Sequence, residues 1–231
     1  MFNPEVQEML EAACHFGHKT QKWNPKMKRY LFGERNGIHI FDLQKTQEHL
    51  QKALEYLGNA AATGKVILFV STKAQAAHLI TDAANATKMP YVVHKWMGGL
   101  LTNFSTMKQR IRYFKTLREG EKAGDFEKYT KKEASELRKK IEKLNAALGG
   151  VADLDRLPDV IFLADVVRDR IVVREANKMK IPVVGIADSN ADPDGIYRLI
   201  PANDDAVKSL TYLIHRVKDA ILKGKSGTIK N

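Results

Sequence analysis

The sequence predicts an α/β fold, a doubly wound parallel sheet into which an antiparallel helical hairpin of the coiled-coil type is inserted. Short apolar runs alternate with amphipathic segments over much of the chain, which is typical of parallel strands joined by helices. One stretch, residues 104–148, interrupts this alternation: it has no strand pattern and no proline, and it is dense in Lys, Arg and Glu. A chain of 231 residues is long enough for one such domain and an appendage.

The α/β elements are predicted from periodicity and turn residues, in chain order. The amino-terminal part contains a short helix over residues 4–13, a β-hairpin over residues 30–41 and a helix over residues 42–63. Apolar runs then predict strands at residues 66–70, 90–94, 160–164, 182–187 and 197–200. Further helices are predicted at residues 73–87, 169–179 and 204–222. Gly17, Asn24 and Pro25 favour a loop for the segment before the β-hairpin.

The inserted stretch is predicted to form two helices that pack along one narrow apolar seam. Its apolar residues recur at steps of three and four, the spacing of one helix face; they are Phe104, Met107, Ile111, Phe114 and Leu117, then Ala134, Leu137, Ile141, Leu144 and Leu148. Thr130 and Glu133 have the form of a capping box, so we expect the second helix to begin there. Residues 120–125 are interpreted as the break between the two helices.

The charge of the chain favours an acidic partner, and nucleic acid in particular. The net charge is +11; residues 105–147 hold 13 Lys and Arg against 7 Asp and Glu, hence +6, and residues 12–33 hold five basic residues and no acidic one. No apolar run is long enough to span a bilayer, and no basic amphipathic helix has the broad aromatic face of a membrane-surface segment. Cys14 is the only cysteine, so no internal disulfide forms and we expect the protein in the cytosol.

The opposite balance holds for residues 151–207, which contain 7 basic and 11 acidic residues, hence −4. We therefore expect a polyanion to meet the first two-thirds of the chain and its tail, and the acidic part to face elsewhere. A basic loop with exposed rings suits phosphate neutralisation and base stacking, whereas Phe16 and Phe32 are interpreted as core residues. The candidate contacts, in this loop and around the base of the inserted helices, are Lys19, Lys22, Trp23, Asn24, Lys26, Lys28, Arg29, Arg35, Lys95, Trp96, Asn103, Lys108, Arg110 and Arg112.

No catalytic site and no cofactor is predicted. The turn after the strand at residues 66–70 lacks a glycine-rich phosphate loop, and residues 58–65 have the wrong spacing and position for one. His15 and His18, with downstream aspartates that include Asp188 and Asp204, raise the alternative of a divalent ion. Turn and helix-cap roles explain these aspartates better, so no metal site is predicted and an ion near His18 and Asp204 remains an alternative.

Several stretches together resemble the bacterial branch of the small-subunit ribosomal protein two family. They occur in the family's order and are residues 15–18 (HFGH), 23–27 (WNPKM), 32–40 (FGERNGIHI), 42–46 (DLQKT), 96–104 (WMGGLLTNF), 157–159 (LPD), 181–184 (IPVV) and 201–205 (PANDD). Two places depart from the family's pattern: Lys95, where an arginine is common, and residues 166–170 (VVRDR).

The resemblance implies a flavodoxin-like version of the doubly wound sheet and no catalysis. It implies a structural role in the small (30S) subunit, with binding of 16S ribosomal RNA between the head and the body. Neighbouring small-subunit proteins are the other implied partners, among them the mRNA-binding protein one, and neither a membrane nor a small-molecule substrate is implied. The implied location is the cytoplasm, bound to the ribosome.

On this interpretation, residues 1–103 and 149–222 form an α/β domain that binds RNA, within which residues 1–45 are a basic amino-terminal extension with the β-hairpin. Residues 104–148 are the inserted hairpin, with paired glycines at 98–99 and 149–150 as turns at its ends, and residues 223–231 are a basic disordered tail. Two other functions remain: a protein-docking adaptor for mRNA-handling proteins, using the hairpin or the acidic residues 151–207, and a flavodoxin-like enzyme that binds a nucleotide or flavin.

Overall fold

A computed structural model describes residues 4–227 of the chain. The helices are α1 (Pro4–Glu11), α2 (Leu43–Ala62), α3 (Ala74–Thr87), α4 (Phe104–Lys122), α5 (Lys131–Leu148), α6 (Arg170–Lys178) and α7 (Val207–Lys225). The strands are β1 (Phe16–Lys19), β2 (Leu31–Arg35), β3 (Ile38–Phe41), β4 (Ile67–Val70), β5 (Tyr91–Val92), β6 (Val160–Leu163), β7 (Val183–Ala187) and β8 (Arg198–Pro201). No helix among the described residues combines the length and apolarity needed to cross a membrane.

The larger sheet has five parallel strands in the order β5-β4-β6-β7-β8. This is the predicted doubly wound sheet, with the strand order of the flavodoxin-like fold. The chain leaves β4 toward β5 on one side and later returns to β6 on the other, so the order reverses between β4 and β6. All residues of β4 and β6 are buried, which explains why both read as continuous apolar runs without alternation.

Two apolar layers cover the two faces of this sheet. On one face, α2, α3 and α7 pack over strand side chains such as Phe69 and Phe162, whose ring centroids are 5.5 Å apart. On the other face, Leu68 and Val70 belong to a second cluster with α6, the ends of α4 and α5 nearest the sheet, and the segment that contains Met27. The sheet thus positions the amino-terminal segment and the first turns of α4 on the same face.

Helices α4 and α5 lie between β5 and β6 in the chain and share one apolar cluster. The predicted seam residues are buried or half-buried in that cluster, together with Phe126 from the connecting turn. Thr130 accepts a hydrogen bond from the backbone N–H of Glu133, whose carboxylate accepts from the backbone N–H of Thr130, so the predicted capping box is present. The predicted break at residues 120–125 begins too early, because α4 continues to Lys122 and ends before Gly124, which has a φ of 79°.

Two other predictions about the elements are wrong. The segment before the β-hairpin contains a strand, β1, which pairs with β3 in a small antiparallel sheet of order β1-β3-β2. The last helix extends through residues 223–225, which were assigned to a disordered tail; there the ammonium group of Lys225 donates to the carbonyl of Thr87 at 2.6 Å. Residues 228–231 of that predicted tail lie outside the described part of the chain.

Candidate nucleic-acid interface

The acid-free residues 12–33, here called the basic segment, contain β1, two short 3-10 helices, Thr20–Lys22 and Pro25–Tyr30, and the start of β2. Met27 and Tyr30 are buried and fix the second 3-10 helix to the core. Because a 3-10 helix repeats every three residues, the side chains between these two anchors point outward. Four basic side chains of the segment are exposed and form no ion pair among the described residues; they are Lys19, Lys22, Lys28 and Arg29.

The basic segment is attached to the turns that follow β7. The backbone N–H of His18 donates to the hydroxyl of Ser189 at 2.8 Å, and the backbone N–H of Asn24 donates to the carbonyl of Ser189 at 2.8 Å. A Cβ atom at Gly17 would lie 2.8 Å from the same hydroxyl, so this crossing requires glycine. The exposed cations therefore sit on a backbone held by the parallel sheet, although the sequence predicted a free loop.

Lys26 differs from the other lysines of the segment. Its Nζ lies 3.0 Å from a carboxylate oxygen of Asp192 and also bonds to Asp194, both in the turn between β7 and β8. The hydrogen bonds that Lys26 donates to Asp194 and Asp192 raise its pKa above the usual value. This lysine is committed to two carboxylates of its own chain and is a poorer phosphate ligand than its sequence context indicated.

Trp23 and Asn24 also have partners within the chain. Trp23 is half-buried, with its ring centroid 4.9 Å from that of His39. The side-chain oxygen of Asn24 accepts from the backbone N–H of Lys26 at 3.0 Å and caps the second 3-10 helix. Arg35 is exposed at the end of β2 beside the Asn36-Gly37 turn. Unlike Trp23 and Asn24, Arg35 has a side chain with no partner among residues 4–227.

The loop of residues 94–103, here called the hairpin-base loop, connects β5 with α4 and folds around the carboxylate of Glu175 from α6. One oxygen accepts from the indole N–H of Trp96 at 3.0 Å and the backbone N–H of Gly99 at 2.8 Å. The other oxygen accepts from the backbone N–H groups of Leu101 and Thr102 at 3.1 and 3.2 Å, and from the hydroxyl of Thr102 at 3.2 Å. Five donors thus surround one carboxylate that is 9% exposed.

These donors explain how a carboxylate without a cation partner is accommodated there. Burial alone would raise the pKa of Glu175, but the donors from Gly99, Trp96, Thr102 and Leu101 outweigh it and hold that pKa below its usual value. Trp96, predicted as an RNA contact, is therefore a buried part of this arrangement. The sequence did contain a signal for Glu175, because it is the acidic residue on the apolar face of α6.

The remaining predicted contacts flank the hairpin-base loop. Lys95 and Asn103 are exposed at its two ends. Lys108 is half-buried and donates to the carbonyl of Asp155 at 2.7 Å, whereas Arg110 and Arg112 are exposed on α4. The structure thus places two groups of exposed cations, one on the basic segment and one around the start of α4.

The crevice between the carboxyl ends of β4 and β6 is where a doubly wound sheet ordinarily receives a ligand. Here the ammonium group of Lys73 lies 3.1, 2.9 and 2.7 Å from the carboxylates of Asp165, Asp204 and Asp205. Burial acts to lower the pKa of Lys73, but the three carboxylates outweigh it and raise that pKa. An internal network of ion pairs thus occupies the crevice, and its carboxylates would repel a phosphate group.

His18 lies beside this network. Its Nδ1 is 3.0 Å from Asp188, and that hydrogen bond is the main cause of a raised pKa at His18. Burial, together with Asp165 and Asp188, raises the pKa of Asp204. One ligand atom from each of His18, Asp188 and Asp204 lies within 4.8 Å of the other two, so these three residues could hold a divalent ion, as the alternative from the sequence supposed.

An apolar groove of about 850 Å³ opens on the other side of the basic segment. It is lined by Leu10 from α1, His15, and Phe32 and Ile40 from the small sheet. Phe32 is 82% exposed and Phe16 is 43% exposed, so both were wrongly interpreted as core residues. The groove therefore lies between the small sheet and helices α1 and α2.

Comparison with known proteins identifies close relatives. The family model described as "Ribosomal protein S2" matches residues 9–224. Two proteins described as "Small ribosomal subunit protein uS2", from Campylobacter curvus and Campylobacter concisus, are each 48% identical over 221 residues. Each alignment covers 96% of this chain and 84% of the relative.

Proposed function

Because the chain belongs to the ribosomal protein S2 family, we propose that it binds 16S ribosomal RNA between the head and the body of the small subunit. As a member of that family the chain is a structural constituent of the small ribosomal subunit in the cytoplasm, and not an enzyme. Its partners are therefore ribosomal RNA and other subunit proteins. The identity of the RNA contacts and of the neighbouring proteins is the subject of the proposal.

The observation that carries the RNA assignment is the unpaired charge of the basic segment. Four of its cations form no ion pair among the described residues, the segment is hydrogen-bonded to Ser189 after β7, and residues 12–33 contain no carboxylate of their own. Phosphate contacts set register and orientation, and folded RNA is recognised largely by shape. A rigid strip of cations meets that requirement better than a mobile tail, because less side-chain and backbone freedom is lost on binding.

The second group of contacts is proposed around the start of α4, at Lys95, Asn103, Arg110 and Arg112, with Lys108 beside them. Trp96 supports this group from within the fold, because its indole N–H helps to hold the hairpin-base loop on Glu175. Trp23 keeps its proposed stacking role with the exposed part of its ring, while Arg35 and the free cations of the basic segment neutralise phosphates.

The test measures RNA affinity as a function of salt. Replacement of Lys22, Lys28 and Arg29 by glutamine should flatten the slope of log affinity for 16S ribosomal RNA against log salt by roughly 2 to 3, because each lost phosphate contact removes roughly 0.7 to 0.9. The full-length protein is used, and circular dichroism checks that the variant is folded. A slope equal to that of the wild type would remove the basic segment from the RNA interface.

A second role, protein docking, is supported by the apolar groove beside Phe32. We propose that a neighbouring small-subunit protein binds there, the mRNA-binding protein one being the candidate from the family resemblance. An exposed phenylalanine beside Leu10 and Ile40 offers the aromatic anchor and apolar wall typical of a protein-binding surface. Phe32→Ala should then reduce recruitment of that protein to the subunit and leave the affinity for RNA unchanged; loss of RNA affinity instead would count against a separate docking role.

A further inference from the structure

The outer face of α6 carries an unusual concentration of positive charge. Every basic side chain in this part of the chain is exposed; these are Arg168, Arg170, Arg174, Lys178 and Lys180. The residues of α6 that pack on the sheet are Val172, Glu175 and Ala176. The helix therefore has one apolar side on the core and one basic side toward solvent.

The sequence concealed this surface because its acidic residues are not on it. Residues 165–180 contain five basic and three acidic residues, a net charge of 5 − 3 = +2. The three acids are Asp165, Asp169 and Glu175, and all three are buried. They bind Lys73, Thr72 and the hairpin-base loop, respectively. Residues 165–180 therefore expose five positively charged side chains to solvent and no negatively charged one.

Ordinary roles of surface cations do not account for this face. The side chains of Arg170, Arg174, Lys178 and Lys180 form no hydrogen bond or ion pair with any residue in the range 4–227, whereas the side chain of Lys52 on α2 is paired with Glu48. The helix dipole favours Lys178, in the last turn of α6, but it disfavours Arg170, the first residue of the helix. A solvated helix face usually mixes charges of both signs, as α2 does.

The spacing of the cations fits a polyanion. Arg170, Arg174 and Lys178 are four residues apart, so they form a row on one side of the helix with steps of roughly 6 Å at 1.5 Å per residue. The row passes beside the hairpin-base loop, because Glu175, the residue after Arg174, binds that loop. Lys95 and Asn103, which belong to the proposed interface, therefore lie on the element to which α6 is bound.

We propose that the outer face of α6 binds the phosphodiester backbone of the small-subunit ribosomal RNA, as a third group of contacts beside the basic segment and the start of α4. The inference rests on the proposed function, since it assigns a further surface to the same partner. Arg170, Arg174 and Lys178 each neutralise a phosphate, and Arg168 and Lys180 extend the positive field at the two ends of the row.

The experiment compares three variants of the full-length protein that lose the same charge. The first is Arg170→Gln, Arg174→Gln and Lys178→Gln together. The matched control is Lys65→Gln, Lys88→Gln and Lys208→Gln, which removes three exposed lysines outside the three proposed groups of contacts. The third is the glutamine variant of the basic segment described above. Binding of in vitro transcribed 16S ribosomal RNA is measured over a range of salt concentrations, with circular dichroism as the check of folding.

We expect the α6 variant to flatten the salt slope by roughly 2 to 3 and the control to leave it unchanged. Equal slopes for the α6 variant and the control would overturn the inference, since only total charge would then matter. The inference would also be overturned if the α6 variant kept the wild-type salt slope but was poorly incorporated into small subunits stripped of this protein. That result would favour an acidic protein partner for α6. If the basic-segment variant alone kept the wild-type slope, the basic segment would lose its proposed role while the α6 inference stood.

Discussion

The carboxylate of Glu175 offers the sharpest test of how the fold presents its interface. In Glu175→Gln the side chain keeps its shape, but one acceptor oxygen becomes an NH₂ group. Whichever way the amide points, at least two donors lose their acceptor: either the N–H groups of Trp96 and Gly99, or those of Leu101 and Thr102. The substitution therefore removes hydrogen bonds without leaving a cavity.

The magnitude follows from the number of donors. Each buried donor left unsatisfied costs about 1–3 kcal/mol, and bonds to a charged acceptor are the stronger ones. Because Thr102 is exposed and water can reach it, we expect a total loss of about 2–4 kcal/mol in the free energy of unfolding. That is a large fraction of the roughly 5–15 kcal/mol typical of a folded domain. Urea denaturation followed by circular dichroism measures it.

The pH dependence gives an independent check with a defined sign. The pKa of Glu175 in the folded protein lies below its ordinary value of 4.5. A carboxylate of this kind contributes stability that is fully present above the unfolded pKa and is lost as the pH falls through the folded pKa. The stability advantage of the wild type over Glu175→Gln should therefore be full at neutral pH and should shrink in acid.

A matched control separates positioning from charge. Glu142 is exposed on α5 and has no partner in the described chain, so Glu142→Gln raises the net charge by the same amount without removing a contact. Added positive charge by itself strengthens binding to RNA. We expect Glu175→Gln to bind 16S ribosomal RNA more weakly than Glu142→Gln, with faster amide exchange at Gly99 and Leu101. Equal stability and equal RNA affinity of the two variants would refute the positioning role.

Three further outcomes follow from particular contacts. Gly224→Ala should destabilise the protein by about 2 kcal/mol or more in urea denaturation, because its Cβ would overlap the backbone carbonyl of Gly58 where α7 crosses α2; Lys223→Ala, at the preceding and exposed position of α7, should have little effect. Thr130→Ala should lower the free energy of unfolding by about 1 kcal/mol through loss of the capping box. Amide hydrogen exchange in the first turn of α5 should become faster, and an unchanged exchange rate there would contradict this. Lys26→Gln should leave the salt slope of RNA binding nearly unchanged, since two aspartates already neutralise it; a loss of a full phosphate contact would show that RNA displaces them.

The sequence was sufficient for elements whose identity depends on local pattern. The buried strands β4 and β6 and helix α2 were predicted within a few residues of their observed ends, because continuous apolar runs and helical spacing reflect burial directly. Strand β1 was missed since Phe16–Lys19 contains a glycine and two polar residues and is defined by pairing with β3. The end of α7 was placed too early because Gly224 resembles a helix terminator, whereas here it permits a close helix crossing.

Some candidate contacts have an internal partner that the sequence did not reveal, because a distant residue provides it. Lys26 is paired with carboxylates more than 160 positions away, and Trp96 is bound by Glu175, 79 positions away. Composition cannot reveal such pairs, because it records which groups are present in a stretch and not which of them meet. Residues without a partner, such as Lys28 and Arg110, keep the surface position that their sequence context indicated.

Burial also changes the sign of the charge that a stretch presents. Residues 151–207 are acidic in total, yet five of their eleven acidic residues are buried. A carboxylate can be buried where N–H groups or an ammonium converge on it, as around Glu175 and Lys73. Arginine and lysine instead pack their stems and keep the charged end in water. The acids of residues 165–180 therefore bind groups inside the fold, and the bases of the same stretch remain outside and form a surface suited to RNA.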